Sequence, residues 1–134
     1  MEYPKCAFAA PLVAATFGCA RAEAVTRRGG PDVACRAAES GRRCAELFER
    51  LKAASLPAFG VEDDPERMPH SVLVKIQHGG LLGLQRLVDG TPADTVSDVD
   101  ALVGRAVARY TGLEAVPCAD LVADITGYRL RRRR

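Results

Sequence analysis

Cys6, Cys19, Cys35 and Cys44 fall within 39 residues, spaced C-x12-C-x15-C-x8-C. Four thiolates can hold zinc tetrahedrally or ligate a [4Fe–4S] or [2Fe–2S] cluster. Structural zinc sites usually draw on two tight cysteine pairs, and ferredoxin-type clusters on C-x2-C steps. Neither spacing occurs here, so the ligands would have to converge from separate loops. Gly18, Gly29, Gly30 and Gly41 lie among the cysteines. Small residues let backbone N–H groups approach sulfide, and Arg27 and Arg28 would offset the charge of a cluster. These residues predict an iron–sulfur site with Cys6, Cys19, Cys35 and Cys44 as ligands, [4Fe–4S] ahead of [2Fe–2S], and zinc as the alternative. The opposing reading makes the four cysteines small apolar core residues with no metal. Cys118 is remote from them, borders the last helix and reads as a buried thiol.

Other chemistry is less well supplied. A nucleophilic cysteine needs a neighbouring base, and His70 and His78 are the only histidines. Pro69 before one and Gly79-Gly80 after the other predict that both sit in exposed loops. Either could replace a cysteine as the fourth metal ligand. Gly79-Gly80-Leu81-Leu82-Gly83 lacks both G-x-G-x-x-G and the Lys-Ser/Thr ending of a phosphate loop, so it predicts a tight turn. Glu62, Asp63, Asp64 and Glu66 match no calcium-loop spacing and read as a solvated loop. No catalytic residue is assigned, and a non-enzymatic role is expected.

The elements that position the cysteines follow from periodicity. Residues 1–42, broken by Pro4, Pro11 and Pro31, predict a loop-rich cysteine segment with a turn at Gly29-Gly30-Pro31 and a short helix over 20–28. Cys44, Leu47, Phe48, Leu51 and Ala54 make one apolar face of a helix over 43–55. That places Cys44 at a helix start, under the positive end of its dipole. Residues 71–77 are β-branched-rich and read as a strand. Residues 81–88 then make either a second strand, closing a hairpin over 71–88, or a helix. Further helices are expected over 97–111, with Ser97 as N-cap, and over 118–126 after Pro117.

The totals agree with one small globular domain over 1–130 and a basic tail over 131–134. The formal charge is +2, but Arg131–Arg134 carry four positive charges and the body is net negative. With no tryptophan and no aromatics among the basic residues, the tail is expected to be solvated rather than to bind nucleic acid. Five cysteines, an odd number, fit a reducing compartment better than a disulfide framework. The apolar stretch 7–19 loosely resembles a signal peptide. Ala20-Arg21-Ala22 after it loosely resembles a cleavage site, but the lead-in carries no net charge, Pro11 interrupts the run, and Thr16-Phe17-Gly18 before Cys19 fit a lipoprotein box poorly. A cytoplasmic protein with no membrane span is expected.

Arg27-Arg28-Gly29-Gly30-Pro31, Cys44-x-x-Leu-Phe-Glu-Arg-Leu-Lys and Phe59-Gly60-Val61-Glu62-Asp63-Asp64 resemble small bacterial proteins of unassigned function, some of them thought to carry iron–sulfur clusters. The resemblance spans residues 6–88 and implies a cluster. The fold expected is mainly α, with the cysteine segment packed on amphipathic helices and a possible small hairpin. The function expected is electron transfer or service to a redox enzyme as protein partner. The alternatives are a metal-free helical adaptor and a thiol-dependent enzyme.

Overall fold

The computed structural model describes residues 4–60 and 68–129. Glu62, Asp63, Asp64, Glu66 and the arginines at 131–134 lie outside the described residues. Among the described residues the chain is mainly α, with one antiparallel hairpin. In order it forms α1 (Ala9–Val13), β1 (Ala22–Arg27), β2 (Gly30–Cys35), α2 (Ala38–Ser55), α3 (His70–Asp89), α4 (Val99–Tyr110) and α5 (Val122–Thr126). Short 3-10 turns at Leu56–Phe59, Leu113–Ala115 and Cys118–Leu121 connect them.

The hairpin exists, but not over 71–88. It joins β1 to β2 through Arg28-Gly29, with Arg27 opposite Gly30 and Ala22 opposite Cys35. The helix expected over 20–28 is therefore a strand. Glu23, Ala24, Thr26 and Arg27 are exposed, so this segment has no apolar stripe to hold a helix on the core. The β-branched Val25 and Thr26 suit the strand.

Residues 71–88 form α3 instead. Burial runs through Val72, Ile76 and every residue from Gln77 to Leu81, then Gly83 and Leu84. Such an all-round buried helix sits between partners rather than on a surface. Its glycines are packing contacts, not a turn. A Cβ on Gly79 would stand 2.6 Å from the Asp124 carbonyl oxygen of α5, and one on Gly80 would stand 2.7 Å from Leu51 Cδ1 of α2. α3 ends at Gly90 (φ +79°), which supplies the left-handed C-terminal residue.

One core joins all these elements. Phe8, Leu47 and Leu51 of the N-terminal half meet Ile76, Leu81, Leu84, Leu102, Val103, Leu121 and Ile125, all fully buried. Arg86 clamps Asp124 with two hydrogen bonds (3.3 and 2.7 Å), tying α3 to α5. No helix among the described residues is long and apolar enough to cross a membrane.

Candidate thiolate site

Cys6, Cys19, Cys35 and Cys44 line one small cavity, together with Ala7, Arg21, Ala22, Ser40, Gly41, Val99 and Asp100. Three unrelated local structures bring them there. Residues 4–6 run antiparallel to β2 and join it through an isolated bridge. The Cys6 N–H donates to the Val33 carbonyl (2.9 Å), the Cys35 N–H donates to the Pro4 carbonyl (2.8 Å), and Lys5 faces Ala34. In this antiparallel register Cys6, opposite Val33, shares a sheet face with Cys35, because side chains repeat every second residue. Ala22, paired with Cys35, lies on the same face.

Cys44 reaches the cavity from α2. The helix begins at Ala38, five residues earlier than expected, so Cys44 sits in its second turn and not at its start. The favourable dipole position inferred from sequence is therefore absent. What remains is burial on the core face, at 8% exposure. Gly41, one turn earlier, opens the space that Cys35 occupies. A Cβ there would lie 3.7 Å from the Cys35 sulfur.

Cys19 arrives on the loop between α1 and β1. Gly18 anchors that loop: its N–H donates to the Val96 carbonyl and its carbonyl accepts from the Val99 N–H, both at 2.9 Å. A Cβ on Gly18 would meet the Ser97 carbonyl oxygen at 2.7 Å. Asp98 Oδ1 accepts the Ala20 N–H (3.0 Å). Gly18→Ala is expected to push this loop away from α4, costing about 1–3 kcal/mol. Thermal melts check the cost, and faster alkylation of Cys19 than in the native chain checks the displacement.

Backbone donors meet two of the four sulfurs, while the Cys35 thiol donates to the Ala37 carbonyl (3.2 Å). The Phe8 N–H faces the Cys6 thiolate position, and the Arg21 and Asp100 N–H groups face that of Cys19. Hydrogen bonds to sulfur of this kind tune thiolate-ligated centres. Gly29 and Gly30, expected beside the sulfurs, instead belong to the hairpin turn in open space. Arg27 is taken by Asp32 (3.1 Å). Arg21 lines the cavity, and Arg43 reaches its wall through Asp100. Arg43 donates to Asp100 Oδ1 (2.9 Å), and Arg21 approaches Asp100 Oδ2 (3.4 Å). Burial pushes the Asp100 carboxyl up, but the Ser40 hydroxyl with Arg43 and Arg21 outweighs it and holds the group below the usual carboxylate range.

Burial pushes the Cys6 thiol up to about 11 and Cys44 up to about 12, with repulsion from the other cysteine thiolates adding to both. Burial also raises Cys19, and Cys118 outside the cavity. Such thiols hold their protons at neutral pH and are poor nucleophiles, which weighs against thiol catalysis. A thiol with a higher pKa folded than unfolded stabilises the fold fully below the unfolded value, near 8.5, and that contribution disappears as pH rises through the folded value. Without metal, stability is thus expected to fall between pH about 8.5 and 11–12. The slope is at most roughly 1.4 kcal/mol per pH unit for each thiol. Urea melts across this range check it.

The histidines are elsewhere. His70 is exposed at the start of α3. His78, expected in an exposed loop, is buried at mid-helix. Its Nδ1 meets the Val74 carbonyl (3.0 Å) and its Nε2 meets Thr16 Oγ1 (3.0 Å), and Tyr128 stacks on the ring. Neither histidine lines the four-cysteine cavity. Gln77 has a role that sequence reasoning missed. From α3 its amide accepts the Ala10 N–H (2.9 Å) and donates to the Ala7 carbonyl (2.8 Å), fixing the turn that follows Cys6. An amide inside an apolar helical run was the only available signal.

The donor set fits a metal–thiolate centre, but the space does not fit one as packed. The cavity is about 10 Å³, room for about one water molecule. Among the described residues no three His, Cys, Asp or Glu side chains are arranged to hold a single ion.

No protein-family model, no curated protein and no solved structure matches the chain.

Proposed function

We propose that this chain is a small iron–sulfur protein of the reducing cytoplasm, serving electron transfer or a redox-enzyme partner. Cys6, Cys19, Cys35 and Cys44 are its cluster ligands. One observation carries the reading: four cysteines from the N-terminal segment, a loop, a strand end and a helix line one cavity. The backbone donors at Cys6 and Cys19 support it further.

The test is anaerobic purification and reconstitution with iron and sulfide. The expected result is iron and acid-labile sulfide in equal amounts, with broad visible thiolate-to-iron absorption. Bound zinc alone redirects the reading to a zinc site. A colourless, iron-free chain overturns it. The small cavity and protonated thiols favour a second reading, a metal-free interaction module. In that case serine at Cys6 and Cys19 leaves folding and partner binding unchanged.

A further inference from the structure

α2 lies alongside the N-terminal segment and runs the same way. At one end, a Cβ on Gly41 would stand 3.6 Å from Pro4 Cγ. At the other, the Phe8 and Phe48 ring centroids are 5.7 Å apart. Seven helical residues advance about 10 Å, within the reach of four residues of strand and turn. Cys6, midway from Pro4 to Phe8, is therefore level with Cys44, near the middle of the stretch from Gly41 to Phe48. Both line the cavity of about 10 Å³, which leaves room for about one water molecule. Of the other three cysteines, Cys6 exerts the largest electrostatic push on Cys44. Cys35 is placed differently. It stands opposite Pro4 while Cys6 stands opposite Val33, so the two are diagonal neighbours on the sheet face. Such neighbours lie about 7–8 Å apart, beyond the usual Cα reach of a disulfide, about 4.4–6.8 Å. Cys6 is also the open member of the level pair. It is half-buried and borders a groove of about 650 Å³, whereas Cys44 is buried and does not line that groove.

We propose that in the metal-free chain a peroxide joins Cys6 to Cys44 in a disulfide, which latches the N-terminal segment onto α2. The inference stands apart from the iron–sulfur reading. The Cys6 sulfur attacks one peroxide oxygen, the O–O bond breaks, and a sulfenic acid and one water result. The Cys44 sulfur then attacks the sulfenic sulfur. The S–S bond forms, and the hydroxyl leaves with the Cys44 proton as a second water. Each sulfur gives up one electron, and the peroxide takes both together with the two thiol protons. Burial raises both thiol pKa values, so closure is slow at neutral pH, and the finished bond is slow to reduce because each sulfur is a poor leaving group. The pair is thus a latch and not a turnover disulfide. While it is closed, two of the four thiols are withdrawn from metal binding.

The test exposes the reduced, metal-free chain to excess hydrogen peroxide at about pH 8.5, where thiolate begins to form. Disulfides are then mapped by mass spectrometry after non-reducing digestion with chymotrypsin and trypsin. The expected result is a monomer lighter by two hydrogens, with Cys6 joined to Cys44 in most of the oxidised chain and Tm raised by roughly 5–10 °C. Cys6→Ser and Cys44→Ser are each expected to abolish the rise in Tm, and Cys118→Ser to keep it. A map dominated by any other pair, by a bond between two chains or by uncoupled sulfinic acid overturns the latch, as does a native chain that stays reduced. The experiment contains no iron, so each of these outcomes leaves the cluster reading where it stood.

Discussion

Replacing Cys44 by serine is expected to strip the reconstituted chain of iron while leaving it folded. Changes behind a metal ligand alone cost about 10–100-fold in affinity, and loss of the ligand itself costs at least as much. Iron content should therefore fall below about one-tenth of the native level. The fold has reason to survive. Cys44 is one small side chain at the edge of a core dominated by Leu47, Leu51, Ile76, Leu81 and Leu84. Placing a hydroxyl there costs about 1–3 kcal/mol. Cys35→Ser should behave alike, since Cys35 is buried against Gly41, one turn of α2 before Cys44. Cys118→Ser is the discriminating companion. Cys118 packs at the periphery of the core, away from the cavity, so its loss should leave iron content intact. Iron analysis with circular dichroism on the three variants decides the matter. Equal iron loss in Cys118→Ser would point to non-specific thiol loading.

The second large effect concerns the helix that the sequence left open. Alanine normally gains about 0.8–1 kcal/mol over glycine inside a helix. At Gly79 the added Cβ would lie 2.6 Å from the Asp124 carbonyl oxygen and 2.7 Å from Ile125 Cα, both backbone. Backbone cannot rotate aside, so α3 and α5 must part. We expect Gly79→Ala to destabilise by about 2 kcal/mol net, lowering Tm by roughly 5–10 °C. Gly104 in α4 has only the flexible Arg43 guanidinium nearby, at 3.6 Å. Gly104→Ala should instead stabilise, by about 0.5–1 kcal/mol. If Gly79→Ala raised Tm as Gly104→Ala does, α3 and α5 would not be in the contact described here.

These two cases show how far the sequence was legible. The face of α2 was plain because Cys44, Leu47 and Leu51 repeat at helical spacing and all three are buried. So was α4, from Val99 to Tyr110, although its N-cap is Asp98 rather than Ser97. α3 was ambiguous because a helix buried on all sides has no polar face to set a period. Its three glycines mimic a turn until the neighbouring helices are in place. The start of α2 was missed because residues 38–42 carry no apolar stripe, and that error misplaced Cys44 relative to the helix dipole. Gathering the four cysteines depended on non-local pairing. No local spacing relates Cys6 to Cys35. The backbone bonds between 4–6 and 33–35 do, and a sequence read in short windows cannot register them. The same limit hid Gln77, whose partners Ala7 and Ala10 lie about seventy residues away.

Native mass spectrometry of the anaerobically reconstituted chain tests the central claim most directly. The account predicts a dominant species heavier than the bare chain by one cluster of equal iron and sulfide, four of each for the preferred form. Serine at Cys6, Cys19, Cys35 or Cys44 should abolish it, and serine at Cys118 should spare it. A bare-chain mass under the same conditions would contradict it, as would an adduct that survives loss of any of the four.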